Sequence, residues 1–177
     1  FHLGHEYMLE SASKWRNSNN PNAPLIIAIG SSNRPQNLRN PWTHEERSQM
    51  IETWAISNSI GNYVIYSIPD IDDPPNWVTH ASRYHGQAGV LVTTDMGTAE
   101  LYTASGWEVV LLPLEKRERF EGWRVRETAR MLSTIGDQDA IREVLGTLIP
   151  MSVLEHLIET NGLHRLAFMG EGGEPVG

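Results

Sequence analysis

At 177 residues the chain is long enough for one compact domain with a real core. Its 22 acidic residues outnumber 14 basic ones, which argues against a nucleic-acid scaffold or a polybasic membrane anchor but leaves room for a nucleotide pocket built from a few donors. The absence of cysteine excludes disulfides, thiolate metal sites and a cysteine nucleophile, and no apolar run approaches the roughly 20 residues of a membrane helix. A cytoplasmic enzyme is the expectation.

Met8, Leu9, Ala12 and Trp15 recur at helical spacing and predict a helix from Glu6 to Arg16. After a turn-rich break, Leu25 to Ile29 is continuously apolar, as expected of a strand buried on both faces of a parallel sheet. A polar loop with Arg34 and Arg39 follows. Thr43, with Glu46 three residues on, has the form of a capping box opening a helix whose apolar stripe is Met50, Ile51, Trp54 and Ala55. Strands are predicted at Tyr63 to Ser67, Gly89 to Thr93 and Glu108 to Leu112, with a short helix from Trp77 and another from Thr98 to Ala104 stopped by Gly106. From about Gly122 to Leu163 the chain is mostly helical, and the Gly-rich end reads as a flexible tail over 170–177.

Strands that alternate with helices predict an α/β fold. The expectation is a Rossmann-like parallel sheet with helices on both faces and a helical C-terminal part, in a single domain over 1–169. Ligands in such folds sit at the carboxyl ends of the strands. The alternation opens on a helix, so a strand ahead of Phe1 would complete its first unit, and a longer or processed N-terminus is expected.

His2-Leu3-Gly4-His5 puts two histidines three residues apart, on one face of a first helical turn. Gly4 offers no side chain to obstruct a ligand. A helix start adds free N–H groups and a partial positive charge. Two imidazoles with such donors suit a phosphate whose charge builds during reaction. Taken alone, the tetrad also fits an unstructured chain start or a pair of zinc ligands.

Further segments extend the pattern in order. They are Ile27-Ala28-Ile29-Gly30-Ser31-Ser32, Asn40-Pro41-Trp42-Thr43 with Glu46-Arg47, Ile68-Pro69-Asp70-Ile71 followed by Trp77-Val78, Ile149-Pro150, and Asn161-Gly162 with Arg165. With the opening Phe1-His2-Leu3-Gly4-His5, these resemble the HxGH nucleotidyltransferase superfamily, and within it the archaeal type of nicotinamide mononucleotide (NMN) adenylyltransferase, from Phe1 to about Leu166. The resemblance implies transfer of an adenylyl group from ATP, with Mg²⁺, to NMN, giving NAD and pyrophosphate. It implies His2 and His5 as catalytic residues, and His2, Gly4, His5, Arg47 and Arg126 as the ATP-binding set. Asp70 and Ile71 would meet the nicotinamide amide, and Trp77 would stack on the charged ring; read alone, Trp77 fits an ordinary core tryptophan. No protein metal ligand is assigned. A homo-oligomer with no nucleic-acid or membrane partner is implied.

Three departures stand out. Glu121-Gly122-Trp123 replaces a small, hydroxyl-rich stretch ahead of Arg126, and a carboxylate roughly 4 Å from a phosphate would repel it by about 1 kcal/mol even in water. Either Glu121 points away, with Arg124 compensating part of its charge, or the triphosphate sits differently. Thr94-Asp95 stands where a Gly-Asn pair is usual. A segment carrying an ATP-binding arginine would precede Phe1. The alternatives are another phosphorylated acceptor (nicotinate mononucleotide, phosphopantetheine or a flavin nucleotide) or a nucleotide-binding relative without turnover.

Overall fold

The computed structural model describes residues 1–113 and 121–169. The tail expected over 170–177 lies outside the described residues. The described residues fall into two compact units, one made of residues 1–6, 34–61 and 121–169, the other of residues 7–33 and 62–113. Helix α1, Leu3–Asn19, gives its first turn to one unit and its remainder to the other.

The second unit holds all four named strands. Strand β1, Leu25–Ile29, pairs in parallel with β2, Tyr63–Ser67, with Leu25 opposite Tyr63 and Ile29 opposite Ser67. Strand β3, Val90–Thr93, pairs in parallel with β4, Glu108–Leu111, with Val90 opposite Glu108. Parallel neighbours cannot be joined by a tight turn. Between β3 and β4 the crossover is α4, Met96–Ala104, which packs on both strands. Its start is closed by Asp95, whose carboxylate accepts from the Thr98 N–H at 2.7 Å. Gly106, at φ 82°, makes the turn out of it that a side chain would strain. Helix α3, Trp77–His85, follows a single 3-10 turn over Pro74–Asn76.

The parallel α/β arrangement predicted from the sequence is present. One detail differs. Leu25, Ile27 and Ile29 are buried, but Ile26 between them is 39% exposed, so β1 is covered on one face only. An unbroken apolar run carries no period, and so cannot say which face is open.

The first unit is helical. Helix α2, His44–Ser57, packs on α7, Met151–Glu159, while α5, Gly122–Leu132, contacts α6, Gln138–Leu145. Trp54, Leu145, Val153, Leu154 and Leu166 are fully buried at their centre. Truncating one such side chain to alanine costs about 2–5 kcal/mol. The predicted capping box is made: Thr43 Oγ1 accepts from the Glu46 N–H at 3.3 Å and the Thr43 N–H donates to Glu46 Oε2 at 2.8 Å. Arg165 also donates to Glu46 Oε2, at 2.8 Å, and Trp42 Nε1 donates to the Gly162 carbonyl at 3.2 Å. A Cβ on Gly162 would lie 2.9 Å from Cδ2 of the buried Leu157, so a side chain there requires the core to shift. The helical stretch expected from Gly122 to Leu163 is three helices, interrupted where Asp137 caps α6 and Pro150 precedes α7. No helix among the described residues is long and apolar enough to cross a membrane.

Candidate active site

The start of α1 folds its own backbone donors onto the tetrad. The Gly4 N–H donates to His2 Nδ1 at 3.1 Å, and the His2 N–H donates to His5 Nδ1 at 3.3 Å. The two rings lie against each other, with centroids 3.9 Å apart. A ring nitrogen that accepts an N–H bond carries no proton, so a neutral imidazole held this way has its proton on Nε2. Both histidines thereby present Nε2–H donors outward from the helix start. Gly4 is buried and its N–H is used to orient His2. Its observed contribution is therefore made through that histidine.

Burial, reinforced by neighbouring positive charge that includes Arg126, lowers the His2 pKa to about 4. The same causes, burial first, push His5 well below the usual histidine value. The His5 ring still reaches solvent, so the bulk of protein around it, rather than a sealed pocket, disfavours its charged form. Near neutral pH both rings are uncharged donors. In the unfolded chain a histidine titrates near 6.5. Between that value and about 4 the unfolded state therefore binds more protons than the folded one, and stability falls as pH drops through this window. Melting temperatures of the wild type and of His2→Ala/His5→Ala, followed from pH 7.5 to 4, should show a smaller acid loss in the variant. Parallel curves would show that the pair is not the source.

Positive charge gathers beside these donors. On α5, Nη1 of Arg126 lies 2.9 Å from the point that a Cβ on Gly122 would occupy, and His2 Nε2 lies 3.7 Å from the same point. An imidazole donor, a guanidinium and the first residue of a helix thus lie close together. Glu121 makes no side-chain cap bond to the α5 start, and the helix dipole adds partial positive charge there. Arg126 holds its proton less tightly than usual, through burial first and then through Arg39. Arg47, in the first turn of α2, donates from its Nε to the Thr43 carbonyl at 3.4 Å. Such a corner favours an anion and disfavours a metal ion between the histidines.

Arg39 was not among the residues singled out from the sequence. It sits in a tight turn closed by the Asn37–Asn40 bridge, with its N–H donating to Asn37 Oδ1 at 2.9 Å. The available signal was an arginine between turn-forming asparagines directly ahead of a capped helix.

The Glu121 carboxylate is held by its own neighbours. Its Oε2 accepts from Trp123 Nε1 at 2.8 Å and from Arg124 Nε at 3.2 Å. Arg124 is its charge partner.

The five residues expected to meet ATP thus belong to one unit, and Asp70, Ile71 and Trp77 belong to the other. Ser31 donates to Asp70 twice, from its N–H at 3.2 Å and from its hydroxyl at 2.7 Å. Asn33 reads the Asp70 backbone in both directions, accepting from its N–H at 2.8 Å and donating to its carbonyl at 2.9 Å. Ser31 and Asp72 adopt left-handed backbone, at φ 56° and 53°. Ile71 is 37% exposed. Trp77 is only half-buried, 5.8 Å from the His80 ring, and His80 Nε2 lies 2.9 Å from the Pro69 carbonyl. It is therefore not a core tryptophan. Ser31 and Asn33 are the supports that sequence reasoning missed. Thr94-Asp95 serves α4: Asp95 is its cap, and Thr93 Oγ1 accepts from the Asp95 N–H at 3.1 Å.

Residues 1–70 match the cytidylyltransferase-like family. The chain is 28% identical over 176 residues to a nicotinamide-nucleotide adenylyltransferase of Thermoplasma volcanium, covering 99% of this chain and 90% of that protein. It is 26% identical to the protein of that name from Haloarcula marismortui, covering 97% and 88%. Against the one from Pyrococcus horikoshii it is 29% identical, covering 80% and 72%. A bifunctional NMN adenylyltransferase/ADP ribose pyrophosphatase of Francisella tularensis, solved with AMP and a manganese ion, has the same fold, with a TM-score of 0.62 at 20% identity. The match covers 94% of this chain and about half, 48%, of that one. The chain thus has the nucleotidyltransferase Rossmann-like fold and is similar over nearly its whole length to the archaeal nicotinamide-nucleotide adenylyltransferases.

Proposed function

We propose that the chain transfers the adenylyl group of ATP to NMN, forming NAD and releasing pyrophosphate. The observation that carries the reading is that His2 Nε2 and the Arg126 guanidinium converge beside Gly122 at the start of α5. A phosphate oxygen of NMN attacks the α-phosphorus of ATP, and the bond from that phosphorus to the bridging oxygen of the β-phosphate breaks. The attacking oxygen is already anionic, so no general base is required. Catalysis then consists of aligning two phosphates and stabilising the charge that grows on the α-phosphate oxygens. His2 and His5 supply neutral donors to those oxygens. Arg126 and Arg47, with Arg39 beside Arg126, hold the triphosphate. Asp70 and Ile71 meet the nicotinamide amide, and Trp77 stacks on its positively charged ring.

A divalent cation belongs to this reaction as part of the metal–ATP substrate. Among the described residues no group of three or more histidines and carboxylates converges to hold a metal, and the donors beside Gly122 are nitrogens. That set fits a Mg²⁺ ion carried by triphosphate oxygens and water. The same reading makes the protein a cytoplasmic oligomer of identical chains.

The test is NAD formation from NMN and ATP with Mg²⁺, with nicotinate mononucleotide run in parallel. Activity no higher than in a His2→Ala/His5→Ala control sinks the proposal. Trp77→Ala should raise KM for NMN by about tenfold, the scale of one lost cation–π contact, with little change in KM for ATP. A change confined to ATP would put Trp77 in a different role.

A further inference from the structure

We propose that Arg124 and Trp123 are positioning residues that hold the Glu121 carboxylate out of the phosphate site. The proposal rests on the triphosphate binding beside Gly122, as above. Glu121 is the residue just before α5, the place from which a carboxylate ordinarily folds back onto the free N–H groups of the helix. Those N–H groups are the donors an incoming phosphate needs. A carboxylate there is a built-in competitor for the site. It also stands one residue from Gly122, whose missing side chain lets Arg126 and His2 lie close against the helix start.

The carboxylate makes no cap bond. Trp123 Nε1 donates to its Oε2 at 2.8 Å and Arg124 Nε donates to the same oxygen at 3.2 Å. The Arg124 guanidinium stands 4.9 Å above the Trp123 ring, so the two donors brace each other. Trp123 is 57% exposed and the Arg124 side chain 53% exposed. An ion pair this open contributes little to folding. What it fixes is the direction of Glu121, and Arg124 neutralises the charge that remains.

ATP binding by wild type, Arg124→Ala, Glu121→Gln and the double variant tests the proposal, by calorimetry at low and high salt with melting temperature as a control. Arg124→Ala should weaken ATP about three- to tenfold, as expected of one carboxylate set free near phosphates. The loss should be smaller for AMP and should fade in high salt. It should appear as a rise in KM for ATP with kcat within twofold, and the melting temperature should not move. Glu121→Gln should bind within twofold of wild type, and the double variant should return to that level. An equal loss from Arg124→Ala in both backgrounds would show that Arg124 itself contacts phosphate, and would overturn the proposal. So would a gain from Glu121→Gln that mirrors the Arg124→Ala loss, the sign of a plain field effect. Wild type that binds ATP with no effect of Arg124→Ala overturns this proposal alone. Wild type that binds no ATP overturns the nucleotidyl-transfer reading and this role with it.

Discussion

His2→Ala/His5→Ala should lower kcat for NAD formation by about 10²–10³-fold or more, the scale of losing a preorganised donor to a developing oxyanion. The two Nε2–H groups are fixed before substrate arrives, because Gly4 N–H and His2 N–H occupy the Nδ1 atoms at 3.1 and 3.3 Å. No reorganisation is then needed as charge accumulates on the α-phosphate. The arginines remain in the variant, so ground-state affinity for ATP should change far less than kcat. A loss made mainly in KM would reassign the pair to substrate binding. His5→Gln keeps an N–H donor on a neutral side chain and should retain more activity than His5→Ala. Equal loss in the two would mean that ring stacking, rather than donation, is what the site needs. A double variant within tenfold of wild-type kcat would remove the tetrad from the mechanism.

Gly122→Ala should cost about tenfold or more in kcat/KM for ATP while leaving the fold intact. The added Cβ would stand 2.9 Å from Arg126 Nη1 and 3.7 Å from His2 Nε2. A contact at 2.9 Å cannot persist, and the atom free to give way is the end of a flexible side chain. The methyl group therefore displaces the guanidinium from its place beside His2. Misplacement of a binding group by about 1 Å is enough for losses on this scale. Alanine is meanwhile the better helix residue, by up to about 1 kcal/mol. Thermal unfolding should therefore hold or rise as activity falls. Unchanged kcat/KM would show that the triphosphate does not bind beside Gly122.

The elements were legible wherever local chemistry sets them. Thr43 and Glu46 announce the start of α2 and the structure makes both of their bonds. The apolar stripe at Met50, Ile51, Trp54 and Ala55 is buried as read. Helix α1 begins earlier than its stripe suggests, at Leu3, because its first turn is organised by polar residues that carry no hydrophobic period. At the site, the family resemblance singled out His2, His5 and Arg126, and the structure brings the three together. Arg39 was not singled out, because its place beside Arg126 is a long-range fact with no local signature. The same holds for Ser31 and Asn33, which reach Asp70 across 39 and 37 residues of sequence. Glu121 read as a repulsive intruder, since its partners Trp123 and Arg124 are neighbours whose side-chain directions no periodicity reports.

The bond from Arg165 to Glu46 joins residues 119 positions apart, and the bond from Trp42 to Gly162 joins residues 120 apart. Both grip the start of the helix that carries Arg47. During synthesis that helix start has its own capping box but gains these two bonds only once residues 162 and 165 have left the ribosome. A nascent or prematurely terminated chain ending before Gly162 therefore carries Arg47 on a helix whose start lacks both long-range bonds.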